Sequence, residues 1–509
     1  MKKFLAILLC LSMLLCITPV IAAAEGETAE STPTGTAITT LAELRGITGD
    51  GDYYLANDIY VDLSTVTLPL IPNSFTGTLD GKDRSILFKD ETTKEATNEI
   101  THGSSGGVLF TEYRGNCIKN LTVGSADAPA NVTLTRNGGT NFGIIAQKVT
   151  NANSTRPVFE NITVYANISQ SRANQALNTG LFFGESVNNT YLINCKAVGS
   201  IKVNTGAANA GGFVGIYRPV TTAQLFLRFV NCISDVTFSK YSDSTTVNAS
   251  SSFGGLVGAM KLGSNDTKHD NLAAYNCIVV NELPGYTENE TITWGANAGD
   301  ASQSIISNCA FLSNLADGLA LTTDTAASFR FNAPTGIRFR TTVSGLYDTL
   351  VALYGKDNVK LGTIVAPKLF VDDAEGFTKE ALDALTGIEG AKYVDCAYGG
   401  EWYGEPTTSN IWNAANPVMM TSEYTYVGSI ANIDADYYDT LHCAIGYISY
   451  RADAESDWTT VYATYGENVT EAPAHSIRNL ADAAYAAEQA TPGTYTTEEL
   501  AAIEKYRTK

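Results

Sequence analysis

The chain has 509 residues, with 53 Asp and Glu against 33 Lys and Arg, and a formal net charge of −20. That length suffices for two or three domains and a large buried core. The acidity repels phosphate backbones and anionic membrane surfaces, which argues against a nucleic-acid partner.

Residues 1–24 read as a secretory signal peptide. Lys2 and Lys3 precede an apolar run over 4–20 that closes on Ala22, Ala23 and Ala24. Leu15 before Cys16 is not the small residue that a lipoprotein anchor needs. Nothing later has the ~18 uninterrupted apolar residues of a bilayer span, so the mature chain is expected outside the cell without one. Residues 25–37, polar and small, predict a flexible linker. A short helix over 40–44 comes next, with Thr40 as N-cap and Gly46 at its end. YYLANDIYV (53–61) predicts a strand. FTGTLDGKDRSILF (75–88) predicts a hairpin-like strand pair, placed to block the open edge of a stacked solenoid.

Beyond residue 105 the chain repeats. GGVLF (106–110) leads to Asn116-Cys117, GLFFG (180–184) to Asn194-Cys195, GGFVG (211–215) to Asn231-Cys232, and GGLVG (254–258) to Asn276-Cys277. NFGIIA (141–146) leads to Asn161-Ile162, and Asn308-Cys309 closes the series. Glycines near 107, 143, 180, 212 and 255 lie 32 to 43 residues apart, a period that marks stacked repeats. Short β-branched and aromatic runs alternate within each repeat, and no 3.6-residue period occurs. Paired glycines fit corners through positive φ or close backbone approach. One asparagine per turn predicts a stacked amide ladder. The cysteines predict a column of small buried side chains. Stacked ~4.8 Å apart with parallel Cβ vectors, they are poorly set for a disulfide, and no CxxC or nearby histidine suggests zinc. The pairing of Cys396 and Cys443, outside this column, stays open.

DYYLANDIYV, FTGTLDGKDRSI and the recurring GG-φ-φ-G strands resemble the secreted bacterial β-helix proteins with GLUG-type repeats, over about 38–312. The resemblance implies a right-handed parallel β-helix, here assigned to 38–320 with an N-terminal cap. In that family it stands on a cell surface or among secreted proteins, commonly joined to binding or anchoring modules.

From about 326 the repeat stops. FRFNAPTGIRFRTTV (329–343) alternates as a strand, 346–355 and 378–385 read as helices, and 360–370 as a strand. Further strands are expected within 421–433 and 443–463, and a terminal helix over 476–489. Mixed elements without a repeat predict a separate, smaller α+β domain over 326–509. TGIRFRTTV, LGTIVAPKLF, YVGSIANI and CAIGYISYR are similar to an uncharacterised C-terminal domain of secreted Firmicutes proteins, which implies no activity.

A lyase of this fold needs several carboxylates on neighbouring turns with a base, and a hydrolase a carboxylate pair at a set separation. Asp127, Glu160, Glu185, Asp235 and Asp266 fall at different places in the repeat. Glu185 reads as a solvated loop-edge acid, and His102 and His269 as surface histidines. No catalytic residue, metal site or cofactor is therefore assigned. Binding has more support. Trp402, Tyr403 and Trp412 lie in a Gly/Pro/Asn-rich stretch where ring faces can stack on sugars, with Glu401, Glu405, Asn410 and Asn413 to bond hydroxyls. The alternative is that one or both tryptophans plug the C-terminal core. The reading is a secreted, non-catalytic, adhesin-like scaffold whose partner is a polysaccharide or an extracellular protein; its rival is a β-helix polysaccharide lyase or glycoside hydrolase.

Overall fold

The computed structural model describes residues 35–508 except 103–105, 136–139, 151–155, 171–176, 188, 204–207, 219–226, 241–251, 261–271, 284–303, 389–390, 411–418 and 468. The expected signal segment, nearly all of the expected linker, Asp266, His269, Trp412 and Asn413 lie outside the described residues. The chain divides into two compact units, one ending at Gly318 and one spanning Leu319–Lys509.

In the first unit every strand pairing between named strands is parallel, and successive passes of the chain visit the same sheets in the same order. In one pass, Leu177–Gly180 joins a five-stranded sheet and Phe183–Ser186 a second. Thr190–Ile193 and Lys196–Val203 then join a third sheet of sixteen strands. The next pass repeats this with Ala208–Gly211, Val214–Tyr217, Leu227–Val230 and Ile233–Lys240. Register holds from pass to pass: Gly180 faces Gly211, which faces Gly254, while Phe183 faces Val214, which faces Val257.

Period-2 alternation explains why the passes stack. Along Val158–Gln170, Phe159, Ile162, Val164, Ala166 and Ile168 are buried, while Thr163, Tyr165, Asn167 and Ser169 are only partly so. Inside, aromatic rings from successive passes touch: Tyr113 with Phe159 at 5.3 Å, Phe159 with Phe183 at 4.6 Å, and Phe182 with Phe213 at 4.9 Å. Fully burying one such side chain stabilises by roughly 1.5–3 kcal/mol.

The repeated glycines are required by space rather than by φ. A Cβ on Gly211 would lie 2.2 Å from the Val214 carbonyl oxygen and 2.4 Å from the Gly258 nitrogen. Positive φ belongs instead to the asparagine of each pass, at 51° to 54° for Asn120, Asn161, Asn194, Asn231, Asn276 and Asn308. Asparagine tolerates that region better than other non-glycine residues.

The segment expected to be a hairpin is a single bent strand, Thr78–Leu87. Both of its halves pair in parallel with Cys117–Val123, and the bend lies at Lys82 (φ 49°) and Asp83 (φ 59°). The Asp80 carboxylate accepts the Lys82 N–H at 2.9 Å, so DGKD makes a corner between passes, where a hairpin would reverse the chain. Ahead of it, the helix Leu41–Gly46 opens on a capping box between Thr40 and Glu43.

The second unit pairs two five-stranded antiparallel sheets. One is built on Gly336–Ser344 and Met419–Ala431, the other on Val359–Pro367 and His442–Tyr450. The sheets approach closely: a Cβ on Gly428 would lie 2.4 Å from Thr363 Cβ, and one on Gly446 2.4 Å from Thr341 Cγ2. Tyr426 is buried, its hydroxyl donating to the carbonyls of Gly362 and Tyr447 at 3.2 Å each. The strand expected over 360–370 stops at Pro367, and the helix Lys368–Asp373 begins there. Ser476 caps Ile477–Ala490, and a further helix, Thr497–Arg507, opens on the Thr496–Glu499 capping box. Among the described residues no helix is long and apolar enough to cross a membrane.

Candidate functional site

The asparagines of the first unit bond in one direction. Each Nδ2 donates to the Oδ1 of the preceding pass: Asn308 to Asn276 (3.2 Å), Asn276 to Asn231 and Asn231 to Asn194 (3.1 Å each). Asn194 then donates to Asn161 at 3.1 Å and Asn161 to Asn120 at 2.9 Å. The chain ends where Asn120 donates to Asp80 Oδ1 at 3.0 Å. An ionised carboxylate only accepts, so Asp80 sets the polarity of the whole chain. Asn116 is not a rung, which corrects the expectation. The register Cys117↔Val158 and Leu121↔Ile162 places Asn120 opposite Asn161, one corner further along. For the same reason Cys117 stands outside the cysteine column.

Cys195, Cys232, Cys277 and Cys309 do share one slot, flanked by Lys196, Ile233, Ile278 and Ala310 in mutual register. Ile162 and Leu121 fill it in earlier passes. The Cys195 thiol donates to Phe159 O at 3.3 Å and that of Cys232 to Leu192 O at 3.4 Å. Burial pushes the Cys232, Cys277 and Cys309 thiols well up. Cys396 and Cys443 are not joined in a disulfide; their thiols donate to Ser429 O at 3.4 Å and Ala472 O at 3.6 Å. Among the described residues no group of three or more His, Cys, Asp or Glu side chains is arranged to hold a metal ion.

Further amide chains run on other faces. Asn209 donates to Asn178 and Asn178 to Asn141, both at 2.6 Å, and Asn141 donates to the Glu185 carboxylate. Glu185 is buried, with Lys148 Nζ 4.0 Å away, and so is not a solvated edge acid. His102 is also buried. Its ring lies 5.6 Å from Phe142, and burial pushes its pKa down, so it is not a surface histidine.

Acids of the first unit stand in columns with a lysine between them. Glu112, Lys148 and Glu185 share one register column, and Asp80, Lys119 and Glu160 another. Carboxylates two rungs apart are separated by about 9.6 Å, from the ~4.8 Å strand spacing. That is the wide limit for an inverting pair, and an ammonium occupies the rung where the attacking water would stand. Asp127 instead pairs with Lys89 at 2.5 Å, and Asp235 accepts from Asn281 at 3.0 Å.

In the second unit the aromatic stretch splits. Trp402 is half-buried, with Tyr398 stacked on it at 4.6 Å and Tyr424 at 4.4 Å, each inclined 26°; Tyr347 meets it edge-on at 5.6 Å. These stacked tyrosines tie Trp402 into an aromatic cluster of the second unit. Beside this cluster Tyr424 donates to the Asp348 carboxylate, whose pKa burial raises. Tyr403 is 38 % exposed and turns the other way, toward Arg338 and Arg340. Glu401 and Glu405 are exposed on either side of it. Asn410 ends the strand Thr407–Asn410. Trp412 and Asn413 lie outside the described residues; among the described ones, Tyr403 turns away from Trp402. The two arginines are functional candidates that the sequence reading misses. Their signal is the i, i+2 spacing in IRFR, which puts both on one face of a strand. No protein-family model, curated protein or solved structure matches the chain.

Proposed function

We propose that the chain is a secreted or cell-surface, non-catalytic scaffold. Its first unit is a right-handed parallel β-helix of the GLUG-repeat kind, and the protein binds a glycan or an extracellular protein. The observation that carries the non-catalytic part is how the carboxylates of the passes are used. Asp80 and Glu185 terminate amide chains, and a lysine stands between the acids of each column. Catalytic acids need a free lone pair or proton aimed at one bond. A stack held by backbone ladders and side-chain amides supplies a rigid, extended support instead.

The test is a glycan array and an extracellular-matrix protein panel with the full chain, run beside an assay for new reducing ends and unsaturated uronates. Saturable binding without product release is the expected result. Product formation from any polysaccharide would move the protein to the lyase or hydrolase class.

A further inference from the structure

We propose that Arg338, Arg340 and Tyr403 form a carboxylate-reading site for a uronate-bearing polysaccharide; the inference rests on the glycan-binding reading above and gives it a place and a ligand class. The two arginines lie on the strand Gly336–Ser344, whose Ile337, Phe339, Thr341 and Val343 are buried. They project from its outer face. The Tyr403 N–H donates to Thr425 O at 2.7 Å, which holds the tyrosine over that face. Its ring centroid is 5.1 Å from the Arg338 guanidinium carbon and 4.8 Å from that of Arg340. Arg338 Nη1 also donates to the Tyr403 hydroxyl at 3.2 Å.

The pair is a local positive spot, two guanidiniums on one strand face, in a protein whose net charge of −20 otherwise repels polyanions. Arg114, Arg478 and Arg507 each hold a carboxylate within 3 Å. Among the described residues Arg338 and Arg340 make no ion pair; what they share is an aromatic ring. Cation–π contact orients the guanidiniums without neutralising them. Glu423 lies on the same face, but four residues from Val427, the partner of Arg340, and thus about 13 Å along the strand.

A planar carboxylate matches the guanidinium fork. A sugar ring suits the solvent side of the Tyr403 phenol. Cross-strand register puts Thr342, Thr425 and Ser429 on the same face; the first two hydroxyls bond each other at 3.2 Å, and Ser429, opposite Arg338, has one for a remaining sugar oxygen. In an acidic peptide the carboxylate sits on an acyclic side chain, whereas a uronate carries it on the ring that lies on Tyr403, so the polysaccharide is the better fit.

The test is titration of the full chain, in EDTA, with polygalacturonate, alginate, neutral dextran, poly-glutamate and polyphosphate. The wild type is expected to prefer the two uronates and to weaken with salt. R338Q/R340Q should lose about tenfold or more in affinity for them, and Y403A several-fold, each with unchanged thermal unfolding. R338K/R340K, which keeps charge but not the fork, should fall between. R451Q, at an arginine bonded to Asn358, should match wild type. Equal or tighter binding of poly-glutamate or polyphosphate, or uronate binding unaffected by R338Q/R340Q, overturns the site while leaving glycan binding as a function open to other surfaces. Failure to bind any glycan on the array overturns both.

Discussion

Asparagine at the positive-φ corner does two jobs that no other residue combines. It accepts a left-handed backbone, and its amide both donates and accepts, so it can extend a chain of any length. Replacing Asn231 with Leu removes two amide bonds and adds φ strain, and should cost about 2–4 kcal/mol in urea unfolding. Asn231→Gly keeps the φ and should cost about half as much; equal losses would mean that backbone strain contributes nothing and the amides carry the whole cost. Asp80 titrates. Burial raises its carboxyl pKa, but the Lys82 N–H, the Asn120 amide and the nearby lysines outweigh burial and hold it below the ordinary value. A folded pKa below the unfolded one gives stability that is complete above the unfolded value of about 3.9 and is lost as pH falls through the folded value. Asp80→Asn should therefore flatten the dependence of stability on pH below about pH 4. Parallel curves for variant and wild type would remove Asp80 from the acid response.

At the scale of the element, the glycine strands are where backbones of adjacent passes and corners approach most closely. Gly211→Ala forces a methyl into a carbonyl and an amide, and should cost at least about 3 kcal/mol or prevent folding. Gly399→Ala, with open space around its Cβ, should stay within about 0.5 kcal/mol. A tolerant Gly211 would mean that the passes are spaced more widely than their register implies. In the second unit, consecutive residues point opposite ways. Trp402 closes an aromatic cluster between the sheets, and Tyr403 lies on an outer face. Trp402→Ala should destabilise that unit by about 2–4 kcal/mol by circular dichroism, and Tyr403→Ala by less than about 1 kcal/mol. The reverse order would exchange their roles.

At the scale of the whole molecule, the repeat was legible because each turn must satisfy the same local rules. A strand needs alternation, a corner needs Gly or Asn, and a stacked column needs side chains that fit their own copies. The C-terminal helices over 346–355, 378–385 and 476–489 were legible from their local pattern, and Thr496-x-x-Glu499 was an available signal for the last one. The period, the corner residues and the position of most cysteines came from sequence alone, because they are set by neighbours along the chain. Which asparagine forms the first rung, that Phe75 to Phe88 bends rather than reverses, that Glu185 and His102 are buried, and that Trp402 stacks with two tyrosines while Tyr403 meets two arginines were decided by the tertiary structure. Each depends on what a distant segment places against the residue, and no local pattern records it.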